Sequence, residues 1–352
     1  MSGQDELFSE FPKEETPNKH KGREILPVKV KQVEFSLIHE PGYDLVPSCI
    51  ASAGDKASYR FLEFFAAQIR NKNTRRAYYR NALHFFSWSD HRNLEIDQIT
   101  SMHVAAYVEE ISQDLSSPSV KQNLATIRML FDYLVIGQIV PINPAAAVRG
   151  PKHVVKKGKT PVLSEEEAKD LLASIDCFTV VGLRDRALIG IMLYTFGRVE
   201  AVLGMDCDQY YIEGRRGWVR LHEKGNKIVT MPCHHKLEEF LDAYLEKAGF
   251  SERPKKVPLF QTVRGRSCKF TGNRMKQCDA WRMIRRRAKT VGIMSLIGNH
   301  SFRATGITNY LQNGGKIETA QQMAGHESSR TTGLYDRRSD ELSLDEIERI
   351  SI

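Results

Sequence analysis

From Ser58 to about Val140, apolar residues recur at three- and four-residue steps, the period of helices that bury one face. Tyr59, Leu62, Phe65 and Ile69 make the first stripe. Thr74 is the expected cap of a second helix that carries Tyr78, Ala82, Phe85 and Trp88. Ile99-Thr100 leads into a third helix with Val104, Tyr107, Val108 and Ile111, and Ser116-Ser117-Pro118 opens a fourth with Val120, Leu124, Ile127, Phe131 and Leu134. Residues 1–55 mix Glu, Lys, Pro and Gly without a long apolar period. They read as a flexible lead-in in which Val28 to Ile38 suits an extended arm.

Asn143-Pro144 and Gly150-Pro151 break the helical pattern, and residues 150–161 are basic and nearly free of apolar side chains, as in an exposed linker. Beyond it, Ser164-Glu-Glu-Glu167 spells a capping box. Leu183 to Phe196 is apolar nearly all round and predicts a buried helix. Trp218 to Glu223 and Ile228 to Met231 read as strands joined by a Lys224-Gly225-Asn226-Lys227 turn. Helices are expected near 234–248, 278–291, 300–313 and 316–324, with glycine stops at Gly314 and Gly325. In the tail, Leu344, Ile347 and Ile350 stripe an amphipathic helix. The pattern predicts a mainly α chain of two domains: a helical bundle over 56–149, the linker 150–161, and a mixed α+β domain over 162–352 with a small antiparallel sheet.

Charge changes this picture. The 352 residues hold 51 Lys and Arg against 43 Asp and Glu, a net +8. That balance points to a polyanionic partner, nucleic acid or an anionic membrane face. The basic residues gather in three places: on the bundle at Arg75 and Arg76, in the linker at Lys152, Lys156, Lys157 and Lys159, and on a later helix at Arg282, Arg285, Arg286 and Arg287. Each set reads either as a solvated face or as phosphate contacts. The amino terminus lacks the pattern of a signal peptide, and no apolar run is long enough to span a bilayer. Six cysteines without a C-x-x-C pair suggest buried, reduced thiols and a cytoplasmic protein. Cys233-His234-His235 has no matching distant ligand pair, so it reads as a helix start, and neither a metal nor another cofactor is expected.

Four separated pieces of the second domain carry chemistry. They are Gly197-Arg198, the Lys224 turn, His300-Ser301-Phe302-Arg303, and Gly325-His326 followed nine residues later by Tyr335. Their order resembles that of the tyrosine recombinases, the phage integrase family. The spacing of Thr74, Tyr78, Phe85 and Trp88, closed by Asn143-Pro144, is similar to the family's core-binding domain. The resemblance runs from about Tyr59 to the C-terminus. It implies a site-specific recombinase that acts on double-stranded DNA, with four protomers on two recombination sites and tails linking neighbours in trans.

The residue chemistry suits that implication. Arg198 and Arg303 offer planar forks that match phosphate oxygens, and together they can stabilise charge developing on a scissile phosphate. His300 and His326 can donate hydrogen bonds or handle protons. Tyr335 can attack phosphorus and form a covalent phosphotyrosine. Lys224 is a candidate acid for the leaving 5′ oxygen, with Lys227 as a competitor; the family's first-lysine placement favours Lys224. Each residue taken singly has a structural alternative, such as a helix-end cation, a cap or a turn lysine. Three positions depart from the family: Ala201 replaces a common acid, Ala304 a common histidine, and Glu223 a frequent glycine. The leading expectation is a mobile-element integrase. A chromosome-dimer resolvase, a type IB topoisomerase-like enzyme and a non-catalytic DNA-binding protein are the alternatives.

Overall fold

The computed structural model describes residues 28–29, 45–153, 158–265 and 268–336. The chain forms two compact units, Met1–Val154 and Val155–Ile352. The expected tail helix and Lys156 and Lys157 lie outside the described residues.

In the first unit, strands β1 (Val28–Lys29) and β2 (Leu45–Val46) pair antiparallel and precede a short helix, α1 (Ser48–Ala51). Four longer helices follow: α2 (Asp55–Glu63), α3 (Lys72–Asp90), α4 (Ser101–Asp114) and α5 (Ser117–Ile136). Most of the expected stripe residues lie on their buried faces, but Tyr59 is exposed and Phe61 takes its place in the core of α2. Phe61, Phe85, Phe86, Tyr107 and Phe131 are fully enclosed. Their rings meet edge to face, as in Phe85–Tyr107 at 5.0 Å and 78°, a favoured arrangement of aromatic quadrupoles.

Two expectations change here. The lead-in does not extend to residue 55, because Val46, Cys49 and Ile50 are buried in the bundle. Three apolar residues over a two-residue strand and one short helix are too few to establish a period. The cap of α3 is Asn71 rather than Thr74: the Asn71 side chain accepts from the amides of Asn73 at 3.0 Å and Thr74 at 3.1 Å.

The second unit begins with α6 (Glu165–Ala173). Its capping box closes as read, with Glu167 N donating to Ser164 Oγ at 3.1 Å and Ser164 N to Glu167 Oε2 at 2.8 Å. The apolar helix α7 (Val180–Tyr194) is followed by α8 (Val199–Leu203). Strands β3 (Tyr210–Glu213), β4 (Arg216–Glu223) and β5 (Lys227–Pro232) form an antiparallel sheet in sequential order. Then come α9 (His235–Ala248), the hairpin of β6 (Gln261–Val263) and β7 (Phe270–Arg274), α10 (Gln277–Thr290), α11 (Asn299–Gln312), α12 (Ile317–Ala324) and α13 (Ser329–Gly333). Strand β3, only four residues long, and the β6–β7 hairpin, short and rich in polar residues, were not expected. Cys268 and Cys278 are exposed, against the expectation of buried thiols, and none of the six cysteines is in a disulfide among the described residues.

Helix α7 packs against both α9 and α11. Gly306 sets the approach of α11, since a Cβ there would lie 2.1 Å from the Leu193 carbonyl oxygen. Gly306 is three residues beyond Arg303 on the same helix, so its packing fixes where that arginine sits. Gly306→Ala is expected to destabilise the protein by about 1–3 kcal/mol through overpacking. Urea titration should show a lower midpoint with an unchanged slope. A midpoint equal to that of the parent would show slack between the helices.

Candidate active site

Arg303 is buried on α11 and makes three contacts that no other charged side chain in the unit combines among the described residues. Its Nη1 donates to the Phe196 carbonyl, and its Nη2 donates to the Ala324 carbonyl at 2.7 Å and to His326 Nε2 at 2.6 Å. The acceptors come from the turn between α7 and α8 and from the end of α12. Phe196 adopts a left-handed backbone, φ 56°, where its carbonyl meets the guanidinium. Burial, then the charge of Arg198, pushes the Arg303 pKa down to about 10, while Glu223 and Tyr335 oppose that shift.

His326 follows the left-handed stop of α12 at Gly325, φ 58°. A guanidinium can only donate, so Nε2 of His326 carries the lone pair and Nδ1 the proton. Nδ1 then donates to Thr332 Oγ1 at 2.9 Å. Burial, with Arg303 and Arg198 adding repulsion, pushes the His326 pKa down to about 4. The Tyr335 ring lies parallel to the His326 ring, 5.9 Å between centroids and 7° between planes. Its main chain is held by Thr308 Oγ1, which donates to the Tyr335 carbonyl at 2.9 Å.

Arg198 precedes α8 and leans on the sheet. Its amide donates to Glu223 Oε1 at 3.1 Å and its Nη1 to Glu223 Oε2 at 2.5 Å. His300 opens α11 and keeps much of its surface in solvent. The desolvation its ring does meet, followed by the charges of Arg303 and Arg198, pushes its pKa down. Five of the six residues singled out in the sequence therefore act on one another within one site: Arg198, His300, Arg303, His326 and Tyr335. Lys224 is exposed at the tip of the β4–β5 hairpin, next in chain to Glu223, and pairs with no described residue. Its competitor Lys227 faces Glu327 at 3.6 Å. A cleft of ≈ 450 Å³ beside His326 is lined by Lys227, Val229, Gln321 and Gly325.

The basic residues divide. Arg75 spends its Nε on the Ile69 carbonyl at 3.0 Å, a structural task. Arg76, Lys152 and Lys159 are exposed. Arg282 pairs with Asp279 at 3.2 Å yet stays 69% exposed. Arg286 and Arg287 approach Asp185, which is wholly buried and also binds Arg184 at 2.7 Å. That buried acid, with Glu223 and Thr332, was not singled out as a site residue by sequence reasoning. The signal for Glu223 was present, an acid beside a turn lysine where glycine is frequent. His234 caps α9, accepting from Lys236 N at 3.2 Å, as the helix-start reading requires.

A model of the phage integrase family matches residues 161–341, and one of the phage integrase N-terminal SAM-like domain matches residues 59–137. The chain belongs to the phage integrase family. These tyrosine-type site-specific recombinases break and rejoin DNA. Over 280 residues the chain is 28% identical to the tyrosine recombinase XerD of Listeria monocytogenes, covering 78% of this chain and 91% of that one. Identity to XerC of Thermodesulfovibrio yellowstonii is 27% over 271 residues, 75% and 85% of the two chains. In fold it is similar to XerH site-specific recombinase bound to difH substrate in a pre-cleavage complex (TM-score 0.61, 18% identity, 90% of each chain). It is also similar to a lambda integrase dimer bound to a COC′ core site (TM-score 0.61, 18% identity, 84% and 80%). No helix among the described residues is long and apolar enough to cross a membrane.

The electrostatics of this integrase-family site make a pH prediction. With a folded pKa of about 4 against 6.5 for the free side chain, His326 binds its proton more readily in the unfolded chain. Its contribution to stability is complete above pH 6.5 and is lost as pH falls toward 4, at a slope of up to about 1.4 kcal/mol per pH unit. Denaturant titrations of His326→Gln should show a flatter fall across that window. A slope identical to that of the parent would mean that the imidazole is protonated in the folded state.

Proposed function

We propose that the chain cleaves duplex DNA through a covalent 3′-phosphotyrosine at Tyr335. The observation that carries the reading is the gathering of a second guanidinium, two imidazoles and a phenol around buried Arg303. In this reaction the Tyr335 oxygen gives up its proton to solvent and attacks phosphorus, and the bond to the 5′ oxygen breaks. Lys224 protonates the departing oxygen, a task open to an exposed lysine with no ion pair among the described residues. Arg198, Arg303 and His300 stabilise the charge on the non-bridging oxygens. The phosphotyrosine keeps the phosphoester energy, and attack by a 5′ hydroxyl on it rejoins the strands.

The helical unit is the core-binding domain of this reading. Exposed Arg76, Lys152, Lys159 and Arg282 hold phosphates, together with Lys156, Lys157 and the part of Arg286 left in solvent. The working assembly is four protomers on two sites. As a role we retain the mobile-element integrase. The extensive similarity to XerC and XerD favours a second role, resolution of chromosome dimers. Sequencing DNA trapped covalently on the protein separates them, since the first yields element ends and the second one chromosomal site.

Tyr335→Phe is expected to bind DNA with parental affinity and to form no denaturant-resistant adduct. The parent should form that adduct on a nicked suicide substrate with EDTA present, because the cationic set supplies the charge that a divalent ion supplies elsewhere. A parental yield from Tyr335→Phe overturns the assignment of the nucleophile.

Affinity for duplex DNA should fall steeply with salt. Replacing Lys159 and Arg282 by Ala should weaken binding alike across sequences and reduce the log–log salt slope by about 0.9 for each phosphate no longer neutralised. An unchanged slope places both residues off the DNA.

A further inference from the structure

Glu223 ends β4, and its side chain is only 3% exposed. An ionised carboxylate in such a place is costly unless it is bonded and paired. Both of its oxygens are used, and both are used on Arg198: one on the main-chain amide, the other on the guanidinium. Two bonds to one residue fix the backbone and the side chain together. Arg198 is left with its Nε and Nη2 donors uncommitted among the described residues, and its side chain is 31% exposed. It is restrained on one edge and open on the other.

The surroundings give the carboxylate a second task. Arg198 and Arg303 repel each other in a partly dry site, and His300 and His326 feel both charges. Among the groups acting on Arg303, Glu223 is the one carboxylate. On α8 itself, position 201 is an alanine and Glu200 is exposed. The charge that lets two guanidiniums share the site therefore comes from the sheet.

We propose that Glu223 is the positioning residue of the phosphate clamp, aiming Arg198 and balancing the Arg198–Arg303 pair without touching the substrate. This rests on the recombinase reading above. Glu223 lies behind Arg198, so its loss misaims the guanidinium more than it changes contact with DNA. Misplacement of a catalytic group by about 1 Å is enough to cost about 100-fold in rate.

The test is single-turnover adduct formation on a suicide substrate, with duplex affinity measured beside it. Glu223→Gln keeps the shape and removes the charge. It should slow adduct formation by about 10- to 100-fold while affinity stays within about two-fold. Glu223→Asp keeps the charge and should recover most of the rate. A parental rate in Glu223→Gln overturns the proposal, as does a Glu223→Asp variant no faster than Glu223→Gln. Should Glu223→Gln fail to fold, arginine side-chain NMR of the parent decides. The Arg198 signal, assigned by its loss in Arg198→Lys, should show hindered guanidinium rotation, and free rotation overturns the proposal. Tyr335→Phe run in parallel reports separately on the recombinase reading, because an adduct there fails that reading whatever Glu223 does.

Discussion

A guanidinium withdrawn from water has to find its donors' partners inside the protein, and the site is organised around how Arg303 does so. Leaving a buried charge unbonded costs several kcal/mol. Arg303 avoids that cost by drawing together the Phe196 carbonyl, the Ala324 carbonyl and His326. Those partners belong to two stretches of chain that are far apart in sequence. The left-handed turn at Phe196, the glycine stop at Gly325 and the close helix approach at Gly306 all serve that convergence. The same bonds settle a chemical detail, since an imidazole that accepts from arginine cannot also be cationic. His326 is accordingly neutral, with its proton on Nδ1.

The second constraint is electrostatic. The site concentrates positive charge, and desolvation makes the repulsion within it stronger. Two devices contain it: the depressed proton affinity of both histidines, and the single carboxylate of Glu223. A related arrangement stands elsewhere in the unit, where buried Asp185 gathers Arg184, Arg286 and Arg287. There the balance serves architecture and ties α7 to α10. Part of what reads in sequence as a uniform basic stripe is therefore committed inward.

Most helices of the first unit were legible because each buries one face, and the stripes through Phe85 and Leu124 state that face directly, while α7 was legible because it is apolar nearly all round. The capping box at Ser164 was legible because its two partners are three residues apart. Asn71 was passed over for Thr74 because both residue types cap helices, and only the backbone shows which one stands outside the first turn. The β6–β7 hairpin was hidden because Thr262, Thr271 and Asn273 give a strand no apolar alternation. Within the site, arginine, histidine, lysine and tyrosine announce their chemistry by type and order. Glu223 and Thr332 do not, because their parts are defined by what they touch across the fold.

The amide of Gly158 donates to the carbonyl of Leu334 at 2.9 Å, one residue before Tyr335. A Cβ at position 158 would lie 2.8 Å from that oxygen, so a side chain there and the bond compete for the same space. Gly158 is thus a strut for the loop that carries the tyrosine. Insertions upstream of Gly158 leave the strut in place, whereas grafting a foreign linker across it removes a support from the tyrosine's own loop. The boundary for exchanging the first unit accordingly falls before Gly158.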